Sequence, residues 1–260
     1  QINDFELVIL YQPTNEFNTI FSQLKSKKRN FLLISGSKTD WNSINKQQLG
    51  FSKNAINQTE NYNGVSVGGS FDVVLVKGKE GNITIEGEEN IIPYIITEVD
   101  GDLLKVKYKK NTNINTTKRL TVTVPFKSIE KVSLGGSGNI QSEDVIQTNE
   151  LAIGLGGSGN IKLMVDAREV TAKIGGSGNI KIGGTAEELE CSIAGSGSVK
   201  AYELKTNIAI VTIAGSGNVR TTVSNRIKAK VVGSGNVYYK GNPSKIDSRS
   251  VGSGDVIDKN

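Results

Sequence analysis

Seven copies of one glycine-rich turn are the residues of this chain with the most obvious chemical potential. They read LGGSGNI (Leu134–Ile140), LGGSGNI (Leu155–Ile161), IGGSGNI (Ile174–Ile180), IAGSGSV (Ile193–Val199), IAGSGNV (Ile213–Val219), VVGSGNV (Val231–Val237) and SVGSGDV (Ser250–Val256). A glycine-rich loop can offer backbone N–H groups to a phosphate, wrap a calcium ion, or simply turn a corner. Four residues after successive turn serines stand Lys162, Lys181, Lys200 and Arg220, a candidate face for an anionic ligand. Glu187, Glu188 and Glu190 are the nearest thing to a carboxylate cluster. Other chemistry is excluded by composition. The chain has no histidine, so it holds no Ser–His–Asp triad, no Cys–His pair and no histidine-ligated metal. Its one cysteine, Cys191, can form neither an intrachain disulfide nor a cysteine zinc cluster.

Calcium fits the turns poorly. Calcium-binding β-rolls repeat G-G-x-G-x-D every nine residues and use the aspartate oxygens as ligands. Here that slot holds Ile140, Ile161, Ile180 or Val199, and the residue before it is a neutral Asn or Ser in all copies but the last. A hard cation wants oxygen ligands, mostly anionic. The asparagine row (Asn139, Asn160, Asn179, Asn218, Asn236) reads as structural. Asparagine tolerates left-handed backbone at corners, and stacked amides can hydrogen-bond along a stack. No catalytic residue, metal site or cofactor is expected.

The elements that carry these residues follow from the spacing. Ser137, Ser158, Ser177, Ser196, Ser216, Ser234 and Ser253 are separated by 21, 19, 19, 20, 18 and 19 residues. A near-constant period of this size marks a solenoid. Three positions before the serines stand Leu134, Leu155, Ile174, Ile193, Ile213 and Val231; three after stand Ile140, Ile161, Ile180, Val199, Val219, Val237 and Val256. Five before come Val132, Ile153, Ala172, Cys191, Val211 and Ala229, with mostly polar residues between. Alternation of period two on both sides of a turn means strand–turn–strand. The expected fold is all-β: a right-handed β-solenoid (single-stranded β-helix) of about 19-residue coils, stacked at about 4.8 Å. The lysines and arginine four after each serine fall between inward positions and point outward. Their bland role is a solvated face that resists edge-on aggregation; their functional role is a track for an acidic glycan, lipid headgroup or polymer.

Four regions are expected. Residues 1–50 read as a small α/β segment of unknown role, with strands FELVILY and FLLISG and helices at Glu16–Lys28 and Thr39–Gln48. SGS at Ser35–Ser37 follows the second strand but lacks a phosphate-loop pattern. Residues 51–61 read as a linker. Residues 62–134 read as an N-terminal capping β region, with a first atypical coil at VSVGGSFDVVL (65–75), strands at 82–87, 103–108 and 119–125, and one short helix at 90–99. Residues 135–260 read as the GSG-repeat solenoid. A cap is needed because an open end coil exposes unpaired strand edges.

Net charge is +5, with 7 Lys/Arg and 5 Asp/Glu in residues 1–60 and 24 and 21 in the remainder. Neither part is basic enough to point to nucleic acid. No apolar run approaches the roughly 18 residues of a membrane span, and QINDF does not resemble a signal peptide.

SVGGSFDVVLVKG, EGEENIIPYIITEVDGDLLKVKYKK, RLTVTVP and the serial GGSGNI turns together resemble the putative auto-transporter adhesin head GIN domain family, over roughly residues 60–260. The resemblance implies a β-helical domain of secreted or envelope-associated proteins of Gram-negative bacteria, with no catalytic residues to carry over. The expected function is a non-catalytic cell-envelope or secreted scaffold, adhesive in role, binding glycan, another envelope polymer or a protein through its exposed sheets. The alternatives are a carbohydrate-active β-helix enzyme, which would need clustered carboxylates, or carboxylates with Arg or Lys, on one outer face, and a calcium-dependent β-roll.

Overall fold

Alternating Ile, Leu and Val stack into inward ladders when each coil hydrogen-bonds to the one before it. The ladder after the turn runs Val73, Ile140, Ile161, Ile180, Val199, Val219, Val237 and Val256, each paired with the next in parallel register. Its members from Val73 to Val237 are at most 1% exposed, so the interior is dry. The computed structural model describes residues 52–112, 114 and 119–260. The expected α/β segment over 1–50, with its two helices, lies outside the described residues.

The described chain is a β-solenoid. A long strand makes up most of each coil: β9 (Asn139–Gly157), β10 (Asn160–Gly176), β11 (Asn179–Gly195), β12 (Ser198–Gly215) and β13 (Asn218–Gly233). The stretch after each turn joins one outer sheet face and the stretch before the next turn joins another. They are called here the post-turn and pre-turn faces. Coil lengths differ, and bulges absorb the difference: pairing shifts between Lys162 and Met164, Lys181 and Gly183, and Ala201 and Lys205. The rows before each turn therefore stay in register.

The atypical first coil is present as expected. Strand β2 (Gly64–Gly69) pairs with β8 (Lys131–Gly136), placing Val65 on Val132, Val67 on Leu134 and Gly69 on Gly136. Strand β3 (Asp72–Lys77) continues it by placing Asp72 on Asn139. Phe71, where the turn has its second glycine elsewhere, is fully buried and lies 4.3 Å from the Tyr108 ring. Beyond this coil, β6 (Leu103–Tyr108) and β7 (Thr121–Phe126) lie parallel to β2 and β3. Antiparallel strands close the end: β5 (Ile95–Asp100) on β6, and β4 (Asn82–Glu88) on β7.

Two expectations need correction here. Residues 51–61 are not a linker throughout, because Ser52–Gln58 forms strand β1 antiparallel to β4. Its polar composition suits an outermost strand with little to bury. The helix expected over 90–99 is a single 3-10 turn, Ile92–Tyr94, followed directly by β5. Pro93 fits the turn, but β-branched Ile95, Ile96, Thr97 and Val99 favour the pleated sheet. Cross-strand ion pairs Lys107–Glu98 (2.6 Å) and Lys105–Asp100 then fix the β5–β6 register.

The opposite end closes differently. Strand β15 (Lys245–Val251) puts Ser248 and Ser250 where earlier coils place Ala229 and Val231. Strand β14 (Asn236–Lys240) pairs with β16 (Val256–Asp258), which puts Asp258 beside Tyr239. The last coil thus carries polar groups on the core ladder, as terminal repeats of a stack require.

Candidate functional site

The glycine turns are consumed by the stack itself. Gly157 has φ +149°, and a Cβ there would stand 2.3 Å from the carbonyl oxygen of Gly136. A Cβ on Gly159 would meet the Gly138 oxygen at 2.3 Å and Leu134 Cδ2 at 2.7 Å. Coils can approach to hydrogen-bonding distance only if both positions lack a side chain. The turn N–H groups are engaged as well: those of Ser177 and Gly178 both donate to the Gly157 carbonyl at 3.0 Å, and that of Asn179 to Gly159 at 3.0 Å. The same pattern recurs at Ser196 and Ser216. A phosphate cradle needs unengaged N–H groups, and these are spent on the preceding coil.

The asparagine row forms the expected amide ladder in two pieces, because Ser198 stands between Asn179 and Asn218. Asn160 Nδ2 donates to Asn139 Oδ1 (3.0 Å) and Asn179 Nδ2 to Asn160 Oδ1 (3.1 Å), and Asp72 accepts from Asn139 (2.6 Å) at its head. The left-handed residues, however, are the glycines before the serines; Asn111 is the one non-glycine with positive φ among the described residues. Cys191 is buried in the pre-turn ladder between Ala172 and Val211, and burial pushes its thiol up to about 12.

The candidate basic row is assembled as its spacing implies. Lys162, Lys181, Lys200 and Arg220 pair one above another on the post-turn face, and the row continues to Tyr238. Its members are not equivalent. Lys181 is occupied by Glu203, Nζ to Oε1 2.6 Å. Arg220 lies 5.3 Å from the centre of the Tyr238 ring. Two further cations sit over rings nearby: Lys240 Nζ over Tyr202 at 5.0 Å, and Lys259 Nζ over Tyr238 at 5.5 Å. The spacing hides the first because the Ala201/Lys205 bulge breaks the count that would align Tyr202 with later coils, and the second because Lys259 lies beyond the row four residues after the serines.

Carboxylates also come together in a way the sequence reading did not anticipate. Glu150, Glu169 and Glu188, each eight residues before a turn serine, pair in register across three coils. Arg168 braces the row, 2.9 Å from Glu150 and 3.9 Å from Glu169. The cluster Glu187, Glu188 and Glu190 is split: Glu188 joins this row, Glu190 pairs beside Thr171 and Ile210, and Glu187 is exposed. All of these lie on open strand surface. Among the described residues, no group of three or more His, Cys, Asp or Glu side chains is arranged to hold a metal. A concavity at the capped end, lined by Gln58, Thr59, Glu60, Thr97, Glu98 and Val99, is shallow and open. Among the described residues no helix is long and apolar enough to cross a membrane.

A filled parallel β-stack with engaged turns and chemically varied outer faces defines a β-solenoid. The family profile described as "Putative auto-transporter adhesin, head GIN domain" matches residues 61–243, and the chain belongs to that family. Solved structures agree in fold. A crystal structure of a putative adhesin from Bacteroides fragilis superposes with TM-score 0.77 at 22% identity, covering 80% of this chain and 97% of that one. A putative lipid binding protein from Parabacteroides distasonis gives 0.67 at 24% identity, covering 81% and 98%. A putative adhesin from the same organism gives 0.67 at 23%, also covering 81% and 98%. At these identities the likeness is one of fold. A search of curated proteins gives no match.

Proposed function

We propose that residues 52–260 act as a non-catalytic adhesive domain displayed at the cell envelope, gripping a glycan or other anionic envelope polymer through its outward sheet faces. The observation that carries the reading is how completely the interior and turns are used. Ladder residues fill the core, the turn N–H groups bond the preceding coil, and chemical variety is left on the outer rows. The family description and the names of the structural relatives support an adhesive role and a surface location. The register-aligned cations Lys162, Lys181, Lys200 and Arg220 supply charge of the sign an acidic polymer needs.

The test immobilises the full chain on beads and probes an array of neutral glycans, acidic glycans and envelope polysaccharides, then measures the chain length of whatever is retained. Retention of an acidic class, weakening as salt rises and leaving the polymer uncut, is the expected result. Retention of nothing would overturn the adhesive reading. Shortened polymer would favour a carbohydrate-active enzyme instead.

A further inference from the structure

The net positive charge of this chain is carried by its last 60 residues. Residues 201–260 hold 9 Lys/Arg and 4 Asp/Glu, a net +5, which equals the net charge of the whole chain. The other 200 residues balance at 22 of each (31 − 9 and 26 − 4). Some outward cations meet acids across the strands, as in Lys105–Asp100, Lys107–Glu98, Arg168–Glu150 and Lys181–Glu203. Others, such as Lys162, Lys173, Lys228 and Lys230, carry no carboxylate partner among the described residues, and Arg220, Lys240 and Lys259 on the post-turn face of the last coils differ from them by sitting over aromatic rings. Among the described residues, Lys200, Arg220, Lys240 and Lys259 have no carboxylate partner, although Lys200 and Arg220 are direct register neighbours. Like charges opposed in this way destabilise a sheet.

What holds three of these cations is a pair of tyrosines. Arg220 and Lys259 both lie against the Tyr238 ring, at 5.3 and 5.5 Å, and Lys240 spans to the Tyr202 ring at 5.0 Å. Three of the four cation–π contacts among the described residues fall on this one patch. Such contacts place the charged heads over a ring while leaving the charge uncompensated. Fixing a long side chain beforehand lowers the entropy that a ligand must overcome. Neither the Tyr202 nor the Tyr238 hydroxyl has a hydrogen-bond partner among the described residues, so both remain free for a hydroxyl-rich ligand.

We infer that Tyr202, Arg220, Tyr238, Lys240 and Lys259 form a preorganised platform for an acidic polysaccharide, one bearing carboxylate or sulfate groups along its chain. The inference rests on the adhesive reading and sharpens it to one ligand class and one site. A flat sheet with several fixed cations suits anions repeated along a polymer. Single-stranded nucleic acid would need open aromatic faces for base stacking, and here cations occupy ring faces. A lipid surface would need aliphatic side chains to insert, yet in the last coils the exposed Val232, Ile246 and Val251 belong to the pre-turn stretches, and the exposed post-turn Val145 and Met164 pair with each other in the earlier coils β9 and β10.

The experiment measures binding of the full chain to polygalacturonate and heparin, used as carboxylate and sulfate probes, with phosphatidylglycerol vesicles and poly(dT) alongside. Three proteins are compared: wild type, R220Q/K240Q/K259Q, and K228Q/K230Q/R249Q, which removes equal charge from the pre-turn face. All are first checked for equal thermal midpoints. The platform variant should lose about tenfold or more in affinity for at least one acidic polysaccharide, as expected for three lost charge-assisted contacts. The pre-turn variant should stay within about twofold, because screening limits distant charge at physiological salt. A fourth protein, Y202L/Y238L, keeps every charge and should still weaken binding, which a purely electrostatic surface would not do. Equal loss from both triple variants, or tighter binding to vesicles or poly(dT), would overturn the inference. If the wild type binds polysaccharide and the platform variant binds equally well, the site is wrong while the adhesive reading stands. If the wild type retains no polymer on the array, the adhesive reading itself fails.

Discussion

Gly175 and Gly176 are neighbours in one IGGSGNI turn, and the structure assigns them opposite consequences. A Cβ on Gly175 meets nothing within 4 Å, and the same outward row carries Ala194 and Ala214 in the next two coils. Gly175→Ala removes only freedom of the unfolded chain and should stabilise by about 0.4–1 kcal/mol. Gly176 has φ +150°, and a Cβ there would lie 2.4 Å from the Gly157 oxygen and 3.0 Å from its nitrogen. The backbone strain of Gly176→Ala is about 1–3 kcal/mol. The displaced Gly157 carbonyl also accepts from Ser177 and Gly178, both at 3.0 Å, and two weakened bonds add about 1–3 kcal/mol. The expected loss is therefore about 2–6 kcal/mol, set against a small gain one residue earlier. Urea unfolding followed by far-ultraviolet circular dichroism measures both, with hydrogen exchange reporting whether the coils around the turn open first. Similar losses from the two substitutions, or a loss below about 0.5 kcal/mol for Gly176→Ala, would refute the stacking argument, because either is within the range of an ordinary surface change.

Three further outcomes follow from the same packing. Ile180→Ala, at a fully buried ladder position, should cost about 2–5 kcal/mol in urea unfolding, whereas Lys181→Gln next to it, breaking a pair exposed at both ends, should cost less than about 1 kcal/mol. Asn179→Ala removes the donor to Asn160 and should lower stability by about 0.5–1.5 kcal/mol, an effect absent for Ser177→Ala at the exposed corner. Burial raises the Cys191 thiol from 9.0 to about 12, and burial beside Glu80 raises the Tyr62 hydroxyl. A folded state that holds the Cys191 proton more tightly keeps its full contribution below pH 9.0 and loses it as pH rises toward about 12. The alkaline fall in urea midpoint should be shallower in Cys191→Ala, and native Cys191 should resist thiol reagents that label it at once in urea.

Much of the stack was legible from residue spacing, and the failures have definable causes. Ladder rows could be read within five residues of the turn serines because strict alternation holds there. The first coil was legible even without its second turn glycine, since Val65, Val67, Val73 and Leu75 keep the period. The Glu150–Glu169–Glu188 row lies eight residues before the serines, outside that window. Strand β1 was read as linker because an outermost strand carries no apolar alternation to betray it. The stretch 90–99 looked helical from Asn90 and Pro93, but antiparallel pairing with β6 outweighed local capping signals. The basic row was legible as a row, but not as a site. Whether a lysine is paired, as Lys181 is with Glu203, or poised over a ring, as Lys240 is over Tyr202, depends on side chains that meet across a bulge.

The central claim is that the glycine turns build the stack while the outward rows bind. One comparison tests it directly: acidic-polysaccharide affinity of wild type, of a turn variant carrying alanine at the exposed Ser158, Ser177, Ser196 and Ser216, and of R220Q/K240Q/K259Q. The account predicts wild-type affinity in the turn variant and a loss of about tenfold or more in the platform variant. Binding lost with the serines and kept without the three cations would contradict it.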